Sequence, residues 1–204
     1  MPRRFSMIRS FQLADWITVA NAFCGMGALF SAMEFLRSMS ARWHLLLACG
    51  LIPLALVFDI LDGKVARWRH QASPLGRELD SLADVISFGV APAAIAYAAG
   101  MQGVWDCAVL MLFVGCGVSR LARYNVTADK LSGDDGKVSH YEGAPIPTSI
   151  VLVALLAVAA WQDRLGERLW GGAALVGPWL LHPLVLLFAV SGSLMISTLR
   201  IPKP

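Results

Sequence analysis

Residues 43–66, WHLLLACGLIPLALVFDILDGKVA, are apolar for most of their length and then close on two acids, Asp59 and Asp62. No charge falls between His44 and Asp59, and a run of this length suits a helix crossing ~30 Å of hydrocarbon, which needs about 20 residues. Working outward, similar runs lie at about 14–36, 80–100, 104–124, 147–162 and 172–198, so the expected fold is all-α with six transmembrane helices. Pro178 and Pro183 inside the last run predict a kink or a late start there. The composition agrees: of 204 residues 57% are hydrophobic and 15% charged, with a mean hydropathy of +0.62, against roughly 25% charged in a soluble domain. One domain, residues 1–204, accounts for the chain. The basic, amphipathic N-terminus MPRRFSMIRSFQLADW has no small-residue cleavage site before the first run, and reads as an interfacial helix leading into the membrane.

Lysine and arginine orient the spans, because cytoplasmic segments carry the excess of both. With both termini inside, the cytoplasmic side holds Arg3, Arg4, Arg9, Lys64, Arg67, Arg69, Arg77, Arg120, Arg123, Lys130, Lys137, Arg200 and Lys203. Only Arg37, Arg42, Arg164 and Arg168 fall outside, so an even number of spans and the charge bias agree. Residues 125–146 are the one long polar stretch and read as a cytoplasmic loop. Trp16, Trp43, Trp68 and Trp105 stand near span ends, where aromatic belts form. Cys24, Cys49, Cys107 and Cys116 sit singly in apolar runs, and the four histidines show no metal-ligand spacing. No repeat stands out, and no nucleic-acid partner is expected.

The second span ends FDILDGKVARW (58–68) and the third begins GRELDSLADVISFG (76–89). Asp59 and Asp62 are three apart and Asp80 and Asp84 four apart, so on helices each pair projects from one face. A short connection with Pro74 and Gly76 makes the helices antiparallel neighbours and can gather four carboxylates at the cytoplasmic edge. One aspartate at a span centre already costs about 2.5–3.5 kcal/mol on insertion scales, so a counter-charge is implied. Hard oxygen ligands select Mg²⁺ or Mn²⁺, with Ca²⁺ possible in their place, and four carboxylates suit two ions, the arrangement that clamps attacking and leaving oxygens in phosphoryl transfer. Gly63 lies four after Asp59 and Ala66 four after Asp62, which leaves the acidic face free of bulk. Arg67 beside them offers a fork for phosphate. Helix-end solvation is the alternative for any single aspartate, but not for the set.

These residues, D-x-x-D-G-x-x-A-R followed by eight residues and G-x-x-x-D-x-x-x-D, resemble the signature of the CDP-alcohol phosphotransferase family, with Asp59, Asp62, Gly63, Ala66, Arg67, Gly76, Asp80 and Asp84 all matching. The resemblance implies a six-span fold, a homodimer and a CDP-linked donor bound near the cytosol. It implies that Asp59, Asp62, Asp80 and Asp84 hold two divalent cations, that Asp84 is also the general base, and that Asp59, Asp62, Gly63, Ala66, Arg67, Gly76 and Asp80 receive the CDP.

Three further stretches, ITVANAFCG with Thr18, Asn21 and Gly25, RLARYN (120–125) and YEGAPIPT (141–148), are similar to those of the phosphatidylserine synthases within that family. Ala144 departs from the larger apolar residue expected before Pro145. The likeness implies phosphatidyl transfer from CDP-diacylglycerol to L-serine at the inner (cytoplasmic) membrane. Arg120, Arg123 and Asn125, and with them Tyr141 or Glu142, are the candidates for the acceptor. Positive-inside anchoring is the other reading of the arginines, and a helix C-cap that of Asn125. Glycerol 3-phosphate or inositol phosphate would use the same arginines. Intramembrane acids also mark cation transporters, but those place them at midplane, whereas these sit at one edge beside arginines.

Overall fold

The computed structural model describes residues 11–38, 41–69, 73–131, 140–197 and 200–202. It is predominantly helical: α1 (Leu13–Ser38), α2 (Arg42–Trp68), α3 (Pro74–Asp84), a π-helical turn (Val85–Val90), α4 (Ala91–Ala99), α5 (Val104–Leu131), α6 (Ile150–Trp161) and α7 (Leu186–Ile196). Among the described residues four segments are long and apolar enough to cross a bilayer: Leu13–Ser38, Arg42–Trp68, Leu75–Ala99 and Val104–Val126. Ile146–Trp161 and Pro183–Ile196 are shorter apolar helices. Most of the expected interfacial helix lies outside the described residues.

The core forms because α1 and α2 carry stripes of small residues. On α1 the buried positions run Ala14, Asp15, Thr18, Asn21, Cys24, Gly25, Ala28, Ala32 and Phe35, a repeat of three and four. On α2 they are Leu45, Ala48, Cys49, Ile52, Ala55 and Asp62. Small residues let two helices approach closely, which is how helices associate when lipid is the solvent, and α1 packs most extensively on α2. The opposite faces present Phe23, Met26, Phe30 and Met33 of α1 outward, Phe23 being 71% exposed. Trp16, Trp43, Trp68 and Trp105 are exposed as well.

Gly25 marks a close approach of α1 to the π-helical turn. A Cβ there would stand 2.5 Å from Ser87 Oγ and 2.8 Å from Ser87 Cα, so backbone would have to move. Gly25→Ala is therefore expected to destabilise the protein by about 2 kcal/mol, the scale of overpacking, read as a lower unfolding midpoint in detergent.

Three expectations are corrected. The third helix begins at Pro74 rather than near residue 80, because Ser73 is its N-cap and accepts from the Gly76 N–H at 2.9 Å. The helix of the fourth expected span, α5, runs on to Leu131, so residues 125–131 are not loop and Asn125 is no C-cap. The last helix does not start at 172: Ala174–Val176 and Trp179–Leu181 pair as a β-hairpin. Gly177, at φ 65°, takes the first central position of its two-residue turn, a place glycine favours, and Pro178 follows. Trp105 donates from Nε1 to the Val176 carbonyl at 3.0 Å and fixes this hairpin to α5. A second pairing, His140–Glu142 with Arg200–Pro202, joins the polar stretch to the chain's end.

The end of the bundle that carries this hairpin is stapled by Asp106. It accepts from the N–H of Gly103 at 3.0 Å, as a capping box requires, and from the N–H of His182 at 2.8 Å. Its Oδ2 also meets His182 Nδ1 at 2.6 Å. The histidine is thus structural, as its isolation from other ligands suggested.

Candidate active site

Asp59 and Asp62 sit in the last turns of α2, Asp80 and Asp84 in the second half of α3. The two helices bring them together as the spacing predicted. Ligand oxygens of Asp59, Asp62 and Asp80 all lie within 4.8 Å of one another. The Asp59 carboxyl also stands within hydrogen-bonding reach of those of Asp80 and Asp84. Asp62 and Asp84 are buried, and Asp59 and Asp80 partly so.

Electrostatics shows what this cluster requires. Two like charges at such a separation repel by about 3 kcal/mol at an effective dielectric constant near 20, and several pairs act at once. A multivalent cation among them adds attractions to every carboxylate that outweigh this repulsion. Oδ1 of Asp80 is buried without a hydrogen-bond partner among the described residues, an arrangement that is costly unless something coordinates it. The donor set is all oxygen, so the residues present fit Mg²⁺, Mn²⁺ or Ca²⁺ and do not suit a soft metal.

The two glycines of the motif differ. Among the described residues, and leaving aside its own helix, no atom lies within 4 Å of a Cβ built at Gly63, so the acidic face of α2 is open there. At Gly76 a Cβ would stand 2.9 Å from Asp15 Oδ1, so this glycine makes room for α1. Ala66 is half-buried and Arg67 exposed beside it, at the open end of the same helix.

Asp15 is an acid that sequence reasoning passed over. It is 3% exposed and reaches back to the Gln12 N–H at 2.8 Å, as a residue in a helix's first turn does. The signal available was its place on the buried stripe of α1, where Asp15, Thr18 and Asn21 interrupt a run of small apolar residues. Thr18 and Asn21 reach the cluster directly: Thr18 Oγ1 donates to Asp62 Oδ2 at 2.6 Å, and Asn21 Nδ2 to Asp84 Oδ1 at 3.4 Å.

The acceptor candidates lie on α5 and after it. Arg120 is half-buried, with its guanidinium 5.8 Å from the centre of the Tyr124 ring one turn on, and Arg123 is exposed. Asn125 is engaged with α3: its Nδ2 donates to Ser81 Oγ at 3.1 Å and to Glu78 Oε2 at 3.3 Å. Asn125 therefore ties the helix bearing the arginines to the helix bearing Asp80 and Asp84. Tyr141 and Glu142 lie in the strand His140–Glu142, and their side chains fall outside what is described.

A cluster of four aspartates on two helices that both pack on α1, with an unobstructed glycine beside it, defines a class. Residues 11–195 match the family model described as CDP-alcohol phosphatidyltransferase, and the chain belongs to that family. Its relatives are named more narrowly. A CDP-diacylglycerol–serine O-phosphatidyltransferase of Saccharomyces cerevisiae is 43% identical over 205 aligned residues, covering 98% of this chain and 74% of that protein. One of the same name from Helicobacter pylori is 41% identical, with 68% of this chain and 54% of the relative covered. An archaetidylserine synthase of Methanothermobacter thermautotrophicus is 35% identical, covering 75% and 60%. The chain thus spans little more than half the length of the latter two.

Proposed function

We propose that this enzyme transfers the phosphatidyl group of CDP-diacylglycerol to L-serine, giving phosphatidylserine and CMP. The observation that carries the reading is the convergence of Asp59, Asp62 and Asp80 within 4.8 Å beside the open face at Gly63. The names of the relatives support serine as the acceptor.

In this reading Asp59, Asp62, Asp80 and Asp84 hold two divalent cations. When bound, these ions neutralise the pyrophosphate and the charge that develops on departing CMP. The side chains do the rest. Gly63, Ala66, Arg67 and Gly76, with Asp59, Asp62 and Asp80, receive the CDP, and Arg67 forks onto its phosphates. Arg120 and Arg123 hold the serine carboxylate, Asn125 keeps their helix against α3, and Tyr141 or Glu142 completes the pocket. Asp84 takes the proton of the serine hydroxyl as its oxygen attacks the phosphorus next to the lipid. A new P–O bond forms to serine, the bond to the CMP oxygen breaks, and CMP leaves with the electron pair.

As a single domain, residues 1–204 would cross the membrane six times, with the four long helices and the two shorter ones spanning and an interfacial helix before them. The arginine and lysine distribution supports cytoplasmic termini and an active site facing the cytosol of the inner membrane. The same reading includes a homodimer.

The test is CMP release from CDP-diacylglycerol with purified protein and Mn²⁺ or Mg²⁺, comparing L-serine, glycerol 3-phosphate and inositol phosphate. Release specific to serine is expected. Release with another alcohol would keep the aspartate mechanism and overturn the acceptor. Gly63→Leu should raise the KM for CDP-diacylglycerol at least tenfold without lowering the unfolding midpoint, because among the described residues nothing stands within 4 Å of a Cβ there. A KM within twofold of the parent would remove Gly63 from the donor site.

A further inference from the structure

Helix α1 contributes nothing to the eight-residue motif, yet its buried polar stripe ends on two of the four acids. Thr18 is 4% exposed and Asp62 5%, and their oxygens are 2.6 Å apart. Thr18 Oγ1 lies 3.1 Å from the Ala14 carbonyl as well, which fixes the hydroxyl rotamer. One turn on, Asn21 is fully buried and donates to Asp84. Its own carbonyl accepts from Ser87 Oγ at 2.9 Å, from the π-helical turn just after Asp84. Gly25 lets Ser87 come that close. Asn21 Oδ1 is buried with no partner among the described residues, so the amide is not placed for its own satisfaction. Its donor is spent on Asp84.

We infer that Thr18 and Asn21 are positioning residues, one for the acids of each helix: Thr18 sets the carboxylate of Asp62 for cation binding, and Asn21 sets that of Asp84 for its work on the acceptor. Partners that orient metal ligands typically matter 10–100-fold in affinity or activity. The inference rests on the cation-dependent reading of the site given above, and it separates the two acids by role. Removing the Thr18 hydroxyl acts on Asp62, so it should appear in cation affinity. Removing the Asn21 amide acts on Asp84, so it should appear in turnover once cations saturate.

The experiment uses the full chain in detergent with Mn²⁺ as the probe, its binding followed by loss of the free-ion electron paramagnetic resonance signal, beside CMP release. Thr18→Val should weaken Mn²⁺ binding about tenfold while kcat at saturating Mn²⁺ stays within threefold, and Thr18→Ser should restore the affinity. Asn21→Leu should lower kcat at least tenfold with the KM for CDP-diacylglycerol within threefold. If the leucine variant does not fold, Asn21→Ser, which stays polar but cannot reach Asp84, replaces it with the same expectation. Unchanged Mn²⁺ affinity in Thr18→Val, or parental kcat in the Asn21 variant, overturns the inference. Parent protein that binds no Mn²⁺ would instead sink the cation reading itself, and the inference with it.

Discussion

Asp84→Asn is expected to lower kcat by three orders of magnitude or more while the protein remains folded. General base catalysis contributes about 10²–10⁴-fold, and this side chain is proposed to be a cation ligand too. Asparagine keeps the volume, and its Oδ1 still accepts from Asn21 Nδ2, so the packing around position 84 survives. Without cations the variant should be more stable than the parent, since one member of a mutually repelling buried cluster has become neutral. Paired measurements of CMP release and of the unfolding midpoint in chelator check both halves. Turnover within tenfold of the parent would remove Asp84 as the base.

The second large effect is cation removal. Excess chelator should take CMP release to background, and added Mg²⁺ or Mn²⁺ should restore it in the same sample. The geometry behind this is the 4.8 Å grouping of three carboxylates together with the unpartnered Oδ1 of Asp80. The same addition should raise the unfolding midpoint, because a ligand that binds only the folded state stabilises it by mass action. Activity that persists in chelator, with metal-free protein confirmed by elemental analysis, would exclude the proposed mechanism.

The carboxylate site was legible because each pair is fixed by helix period alone: three apart at Asp59 and Asp62, four apart at Asp80 and Asp84. The short connection was expected to make the two helices packed neighbours; instead each packs chiefly on α1, which holds their acids together. What was not legible depended on partners distant in sequence. Thr18 and Asp62 are 44 residues apart, Asn21 and Asp84 63 apart, and nothing local says that these side chains meet. Asn125 is similar: its engagement with Ser81 and Glu78 follows from how α5 lies on α3. The hairpin at 174–181 was hidden for another reason. Its residues are apolar enough to pass for a span, and hydropathy averages over Gly171, Gly172 and Gly177, whose positive φ values break the helix. Between residues 125 and 131 the opposite error occurs: polarity suggests a loop, but a helix extending past the membrane edge needs no apolar face.

The π-helical turn at Val85–Val90 interrupts the third long apolar segment between the clustered acids and the residues that anchor it in the core. Its sequence cause is at hand: Pro92 has no N–H to donate and its ring would press on the carbonyl four residues back, that of Phe88. Such a turn holds one residue more than an α-helix, and one residue corresponds to roughly 100° of rotation. It therefore acts as a phase adjuster. The buried residues Ala91, Ile95 and Ala98 can seat against the bundle while Asp80 and Asp84 are dialled toward Asp59 and Asp62. Deleting a single residue between 85 and 90 would regularise the helix and swing both acids away from their partners. A one-residue change of length in the hairpin at 174–181, at the end stapled by Asp106, would leave the angle between the acids untouched. Gaps and insertions among working members of this lineage should accordingly gather in the hairpin and avoid the π-turn.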